Sequence, residues 1–467
     1  MEKNKGKNKV PHTYVILTVI IIISVFLTWI IPAGQFDRVK DVQTGQNIIQ
    51  AGTYKVIANN PVNLLSVPLK IVQGMKKSMD IILLVLIVGG AFEVIIHTGV
   101  FQVYTSKLTK KFSNKGIIII PIFTTIFALV CTTQGVNTFI GFAPIGIMVA
   151  RSLGYDAIVG VAMIALGGAI GFSTGTLNPF TTGVAQSLAG LPLFSGIEYR
   201  FFCLVVFLIV TNIYIIKYAK KIKANPELSC VRELEISEKH LNVSNFDELP
   251  QVQKKHFFVL IVVILSFSVL IYGSTKLGWE NTENSALFIW MAVLSGLVYG
   301  LAPSKIAAEF ISGAKKIVFG ALIVGFGSAI SLVLLEGKIL DTIVIYLTSA
   351  LSILPKWLEP SGMLIMQTVV NGVITSGSGQ AAVTMPIMLP VADIINMSRQ
   401  TVILTFNFGD GFSNYVLPTS SALMGFLAMA NITYDKWMKF IWKLFLLWLL
   451  TGAILVTIAS LIKLGPF

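Results

Sequence analysis

The sequence predicts an all-α polytopic membrane protein made of two copies of one helical unit, each with a re-entrant hairpin and a broken helix. Three observations predict it. Of the 467 residues, 55% are hydrophobic and only 12% are charged, about half the charged share of a soluble domain. No soluble interior could hide so much apolar surface, which excludes a cytosolic globular enzyme, a disordered chain and a secreted disulfide scaffold. Several apolar runs are also too short for a hydrocarbon core that needs about 20 residues, and they come in pairs around polar tips. The motifs at these interruptions then occur twice, in the same order.

Residues 13–31 form the first span, too long for a usual signal-peptide core, and Pro32-Ala33-Gly34 is a poor cleavage site. With the polar connection that follows, it makes an N-terminal unit, 1–79. The first repeat, 80–217, holds a span at 80–97 and a hairpin at 116–151 with the tip Thr132-Thr133-Gln134-Gly135-Val136-Asn137-Thr138. A segment at 157–190, broken over Gly171–Pro179, and a span at 200–217 complete it. A charged loop, 218–255, separates the halves, and a linking unit, 256–316, carries spans at 256–273 and 285–301. The second repeat, 317–467, has a span at 317–335 and a hairpin at 362–396 with the tip Ser376-Gly377-Ser378-Gly379-Gln380. A segment at 401–430 is broken over Phe408–Asn414, and a last span runs 440–463. The sum is nine full spans and two hairpins.

The formal charge of +13 sits in short tracts beside apolar spans: Lys3, Lys5, Lys7 and Lys9, then 107–115, 217–223 and 254–255. Such placement is the positive-inside pattern and puts the N-terminus in the cytoplasm of a multi-pass protein of the cytoplasmic membrane. Nucleic-acid binding is excluded, because no basic soluble module interleaved with aromatics exists. Cys131, Cys203 and Cys230 are too scattered for a disulfide framework, and His12, His97, His240 and His256 form no ligand pair.

The internal repeat is explicit. Leu86-Ile87-Val88-Gly89 recurs as Leu322-Ile323-Val324-Gly325, and Gly171-Phe172-Ser173 with Leu177 and Pro179 recurs as Gly411-Phe412-Ser413 with Leu417 and Pro418. Both tips place a proline ten residues on, Gln134 to Pro144 and Ser376 to Pro386, and the offset stays between 236 and 242. Three spans separate the copies, so the second starts with the opposite orientation. An inverted repeat with hairpins and broken helices in matching places is the sequence mark of a secondary transporter. A broken helix bares N–H and C=O groups that hydrocarbon cannot satisfy, so protein, ion or solute must complete them. Helix N-termini there offer partial positive charge to an anion, and freed carbonyls and hydroxyls suit a small cation. There is no G-x-x-x-x-G-K-[ST] loop, so the chain does not itself use ATP.

These residues resemble the YfcC-type branch of the ion transporter superfamily, near the C4-dicarboxylate anaerobic carriers and the aminobenzoyl-glutamate transporters. The resemblance spans nearly the whole chain. Its most specific parts are Thr176–Gly183, Ser378–Ala382 with Pro386, and Phe408–Asn414 followed by Pro418-Thr419-Ser420. It implies a homodimeric elevator, in which a part holding both hairpins and both broken helices moves against a scaffold of the other spans. It implies coupling to Na⁺ or H⁺, or exchange of related solutes, with no other cofactor. Relatives that exchange arginine for ornithine have an acidic first tip, whereas 133–138 here carry no carboxylate.

Asp410 is the leading candidate for cation binding or coupling, since a carboxylate in mid-membrane costs about 2.5–3.5 kcal/mol and calls for a partner. Capping of a nearby helix N-terminus is the plainer alternative. Ser173, Thr174, Asn407 and Ser413 are grouped with it. The solute set is Gln134, Asn137, Thr138, Thr176, Asn178, Ser376, Ser378, Gln380, Asn414, Thr419 and Ser420. Any one hydroxyl can simply bond back to its own helix; clustering at repeat-related breaks favours binding. Gly167, Gly168 and Gly171 are read as close-packing positions, Arg151, Arg200 and Arg399 as interfacial anchors, and Glu93 as paired within the scaffold. The solute expected is a small carboxylate-bearing molecule such as a dicarboxylate or amino acid. A basic amino acid antiporter is the alternative, followed by a channel and by an intramembrane serine protease using Gly171–Gly175 as a G-x-S-x-G elbow with His97 as base.

Overall fold

The structure, a computed structural model, describes residues 13–40, 47–50, 52–100, 103, 116–235, 253–351, 354–395 and 397–465. The N-terminal lysines, His12, the 107–115 tract, His240 and residues 236–252 of the central loop lie outside the described residues. The helices run α1 Thr13–Ile30, α2 Val67–Lys77, α3 Met79–His97, α4 Ile119–Cys131, α5 Ala143–Ser152, α6 Ala157–Thr174, α7 Val184–Leu188 and α8 Ile197–Ala224. They continue as α9 Lys254–Lys276, α10 Asn281–Tyr299, α11 Pro303–Glu336, α12 Leu340–Leu351, α13 Glu359–Asn371, α14 Gly377–Ile394, α15 Arg399–Ser413, α16 Ser421–Met429 and α17 Tyr434–Leu461. By length and composition, α3, Ala157–Leu188, α8, α11 and α17 can cross a membrane.

Helix–turn–helix (α4–α5), interrupted helix (α6–α7) and long helix (α8) recur in the same order as α13–α14, α15–α16 and α17. Corresponding helices pack antiparallel. Along α2–α3 and α11, Lys70 pairs with Glu336, Ser78 with Ser328, Glu93 with Lys316 and His97 with Glu309. Gly168 of α6 lies near Tyr415, Ser173 against Gly411, and Gly175 against Asn407 on α15. Tyr199 of α8 bonds the Leu455 carbonyl of α17, and Tyr214 that of Phe440.

The close approaches rest on small residues. A Cβ on Gly313 would collide with the Gly89 carbonyl, and one on Gly74 with that of Gly325; both members of the repeated Leu-Ile-Val-Gly motif are therefore contact points. Gly167 and Gly171 seat α4 in the same way, against Thr124 and Ala128, as expected.

Helices α1–α3 and α9–α11 form one packing group, and the hairpins and broken helices another, with α16 lying on α11 and α3. Here the packing departs from the expected scaffold: α8 packs on α4 and α6, and α17 on α13 and α15. Both long helices therefore side with the hairpins. Helix α11 begins at Pro303 rather than at 317, so Lys305, Lys315 and Lys316 are helical and Lys316 reaches Glu93. The limbs of the second hairpin are 359–371 and 377–394 rather than 362–375 and 381–396.

The all-α expectation also misses a small β cap within 32–57. Gly34–Gln35 pairs antiparallel with Lys55–Val56, and Arg38–Lys40 with Asn47–Ile49. Its anchor is buried Asp341 on α12, which takes two bonds from Arg38 at 2.8 and 2.9 Å and the Phe36 N–H at 3.0 Å. Strands of two or three polar-rich residues carry no periodicity to read.

At the far end, Asp156 caps α6 through Val159 N–H (3.1 Å) and accepts the hydroxyls of Tyr218 (2.7 Å) and Ser229 (2.6 Å). Replacing it with alanine is expected to lower stability by about 2–4 kcal/mol, from a lost cap and lost charge-assisted bonds. Asp156→Asn should keep most of the cap; an alanine variant with the wild-type Tm in detergent would contradict the assignment. Burial raises the Asp156 carboxyl above its ordinary value. The folded state thus favours its protonation, and this contribution grows as pH falls from that raised value towards about 3.9, then levels off.

Candidate functional site

Helix α6 ends where Gly175 turns left-handed (φ +60°), and the chain restarts at Asn178. The Asn178 side chain caps the π-type turn Pro179–Gly183, accepting the N–H groups of Phe180 and Thr181 at 3.0 and 3.1 Å. Its amide donates to the Gln134 carbonyl at the first hairpin tip (3.1 Å). The second half has a comparable tie. Asn371, beside the second tip, donates to the Asp410 carbonyl (2.9 Å), Ser413 Oγ (2.7 Å) and Asn414 Oδ1 (3.3 Å). Each hairpin is thereby fastened to the break of its own half.

The second tip also reaches across to the first break. A Cβ on Gly377, at the start of α14, would lie 3.0 Å from Asp410 Oδ2 and touch the Thr181 methyl. Asp410 is fully buried, and neither of its carboxylate oxygens has a hydrogen-bond partner. It faces the first turn of α14 without bonding it, since Ser376 Oγ, not Asp410, accepts the Gly379 N–H.

Unpartnered polar atoms are concentrated on residues packed about this point, Ser173 Oγ, Thr181 Oγ1, Asn407 Nδ2, Asn371 Oδ1, Gln367 Nε2 and Gln380 Oε1, and on the breaks and the first tip, Thr176 Oγ1, Thr419 Oγ1 and Asn137 Oδ1. Among the described residues, the only other such atoms are Arg200 Nε, Ser295 Oγ and Thr433 Oγ1. Buried polar groups are ordinarily bonded, so a concentration of bare ones at two helix breaks marks where a ligand would complete the structure.

Several expected ligands are instead spent on structure. Thr174 bonds back to Ile170 and Ser413 to Gly409, while Ser376 and Ser420 cap helices. Asn178 is consumed as a cap and tie, and Asn414 donates to the Asp410 carbonyl. Gln380 donates to Gln367 with one oxygen left bare. Thr138 and Ser378 are half-buried at their tips, and Gln134 contributes its backbone carbonyl. The residues the sequence missed are Thr181, Gln367, Asn371 and Arg200.

Arg200 corrects an expectation. Arg151 and Arg399 pair near helix ends with Glu235 and Asp393, but Arg200 is 1% exposed and no interfacial anchor. Its Nη1 donates to Asn407 Oδ1 at 2.7 Å and reaches the Thr174 carbonyl at 3.5 Å, and Nη2 reaches Gln400 Oε1 at 3.4 Å. It thus compensates the negative C-terminal end of α6. Trp437, fourth residue of α17 as Arg200 is of α8, donates its indole N–H to the Tyr415 carbonyl at 2.9 Å.

Enzyme chemistry finds no support. His97 faces Glu309 on α11, whereas Ser173 abuts Gly411, so the G-x-S-x-G segment lacks its base. Among the described residues, no three His, Cys, Asp or Glu side chains are grouped to hold a metal ion.

Comparison with known proteins follows the same line. The sequence profile of the C4-dicarboxylate anaerobic carrier family matches residues 10–461. An Escherichia coli K12 protein named "Putative basic amino acid antiporter YfcC" is 30% identical over 472 residues, covering 92% of each chain. An uncharacterized protein of Haemophilus influenzae is 28% identical, covering 98% of each. Among solved structures, the YdaH transporter of Alcanivorax borkumensis aligns with a TM-score of 0.42 at 13% identity, covering 98% of this chain and 100% of that one. MtrF of Neisseria gonorrhoeae, whose structure is described as illuminating a class of antimetabolite efflux pumps, aligns with a TM-score of 0.41 at 14% identity. These alignments cover 97% of this chain and 96% of MtrF.

Proposed function

The chain belongs to the C4-dicarboxylate anaerobic carrier family, and from that premise we propose a cation-coupled secondary transporter of a small carboxylate-bearing solute that works as an elevator. The observation that carries this reading is the cluster of bare polar atoms around Asp410, where two antiparallel broken helices and the tip of the second hairpin converge. The antiparallel pairing of corresponding helices supports an inverted repeat. The N-terminal turns of α14 and of Pro179–Gly183 offer partial positive charge to the solute carboxylate. Asp410, Ser173 and Thr181 supply oxygens suited to Na⁺, and Asp410 alone could instead carry H⁺. The moving part comprises both hairpins, both broken helices, α8 and α17; α1–α3 and α9–α11 form the scaffold and the contact of a homodimer in the cytoplasmic membrane.

The name of the Escherichia coli relative favours a second reading, exchange of basic amino acids. Thermal shift of the purified protein against dicarboxylates and amino acids, with and without Na⁺, separates the two. Succinate stabilisation that grows with Na⁺ supports the first, and stabilisation by L-arginine or L-ornithine the second. Reconstituted vesicles should then show counterflow of the stabilising solute. Current without counterflow for any of these solutes would make the protein a channel.

A further inference from the structure

Arg200 and Asp410 are the two most deeply buried full charges among the described residues, at 1% and 0% exposure, and neither belongs to an ion pair. Lys70, Asp156 and Asp341, next in burial, each have a charged or capping partner. An isolated buried charge is costly, and an opposite charge nearby is what relieves it. Asn407 connects the two. Arg200 holds Asn407 Oδ1 at 2.7 Å, and Asn407 stands three residues before Asp410 on α15, where side chains share a face about 5–6 Å apart at Cβ. The remaining bonds of Arg200 go to neutral acceptors, Thr174 O and Gln400 Oε1, so no anion among its bonded partners cancels its charge. Both residues lie in the packing group of hairpins, broken helices and their two long neighbours.

We infer that Arg200 is the built-in counter-charge of Asp410, so that the segment carrying both crosses the membrane electrically neutral with nothing bound. This rests on the elevator reading above. It extends that reading to coupling: a monocarboxylate must bring one cation to keep the balance, a dicarboxylate two, and a zwitterion none. Arg200 acts here as a positioning charge and not as a ligand.

Charge movement after voltage steps, recorded in solute-free choline buffer at pH 8, tests this without knowing the solute. One charge crossing the whole membrane shifts the balance between the two faces by about 50-fold per 100 mV. Wild type is expected to move no charge. Asp410→Asn leaves the guanidinium alone and should move one positive charge. The double variant Asp410→Asn/Arg200→Gln should be silent again, and Asp410→Asn/Arg200→Lys should retain the movement, which a merely structural arginine would not produce. Charge movement in wild type, a silent Asp410→Asn, or a double variant that still moves charge would each overturn the inference. Counterflow of succinate or L-arginine by wild type is measured alongside. Its absence would strike at the transporter reading itself, whereas its presence with the wrong charge pattern would strike only at Arg200.

Discussion

Asp410→Asn is expected to abolish cation-driven accumulation, a fall of at least about 100-fold to the level of empty vesicles. The side chain is fully buried with no hydrogen-bond partner at either oxygen, and the nearly isosteric amide still fits beside Gly377 and Thr181. On the reading proposed above, what it removes is the negative charge that holds Na⁺ or accepts a proton. Losing a partner for a buried charge costs about 3–5 kcal/mol, or roughly 150- to 5000-fold in cation affinity. The measurement is uptake driven by an imposed Na⁺ or H⁺ gradient, with the Na⁺-dependent change in Tm alongside. A variant that keeps normal cation dependence would remove Asp410 from the site.

Gly171→Ala and Gly411→Ala should be the most damaging of the glycine changes. Alanine ordinarily favours a helix by about 1 kcal/mol over glycine, so propensity alone predicts stabilisation. At Gly171, however, the new methyl would collide with the Ala128 carbonyl of α4, and at Gly411 with the backbone and side chain of Ser173. Overpacking costs about 1–3 kcal/mol, and a backbone carbonyl cannot step aside as a side-chain end can. The expected outcome at both is a lower Tm and more than about tenfold loss of counterflow, because α4, α6 and α15 are forced apart beside Asp410. Gly183→Ala is the control: its nearest neighbours are 3.7 and 4.0 Å away, and it should keep both stability and transport. Equal tolerance at Gly171 and Gly183 would refute the close-packing role.

Much of this architecture was legible because apolar length and polar interruption are one-dimensional signals. The two helix–turn–helix pairs and the repeated glycines appear close to where the sequence puts them, and the first break falls at 175–178, inside 171–179. The second lies at 414–420, just past the expected 408–414, whose residues through Ser413 are helical. Long-range partners leave no such trace. A lone arginine near the end of an apolar run reads as an anchor, and only the fold brings Arg200 to Asn407, 207 residues away. Asn371 and Gln367 looked like ordinary positions in a hairpin limb until α13 was set against α15. The β cap escaped notice because its strands are too short to alternate, and the start of α11 because its lysines resemble a loop.

Arg200 and Trp437 hold corresponding places on α8 and α17, which run antiparallel, so they stand towards opposite ends of the molecule. One end seals its broken helix with a guanidinium, the other with an indole. The two halves repeat one order of helices, yet this one exchange of side chains denies them energetic equivalence. The carrier is therefore expected to rectify, releasing a charged cargo to one compartment more readily than to the other.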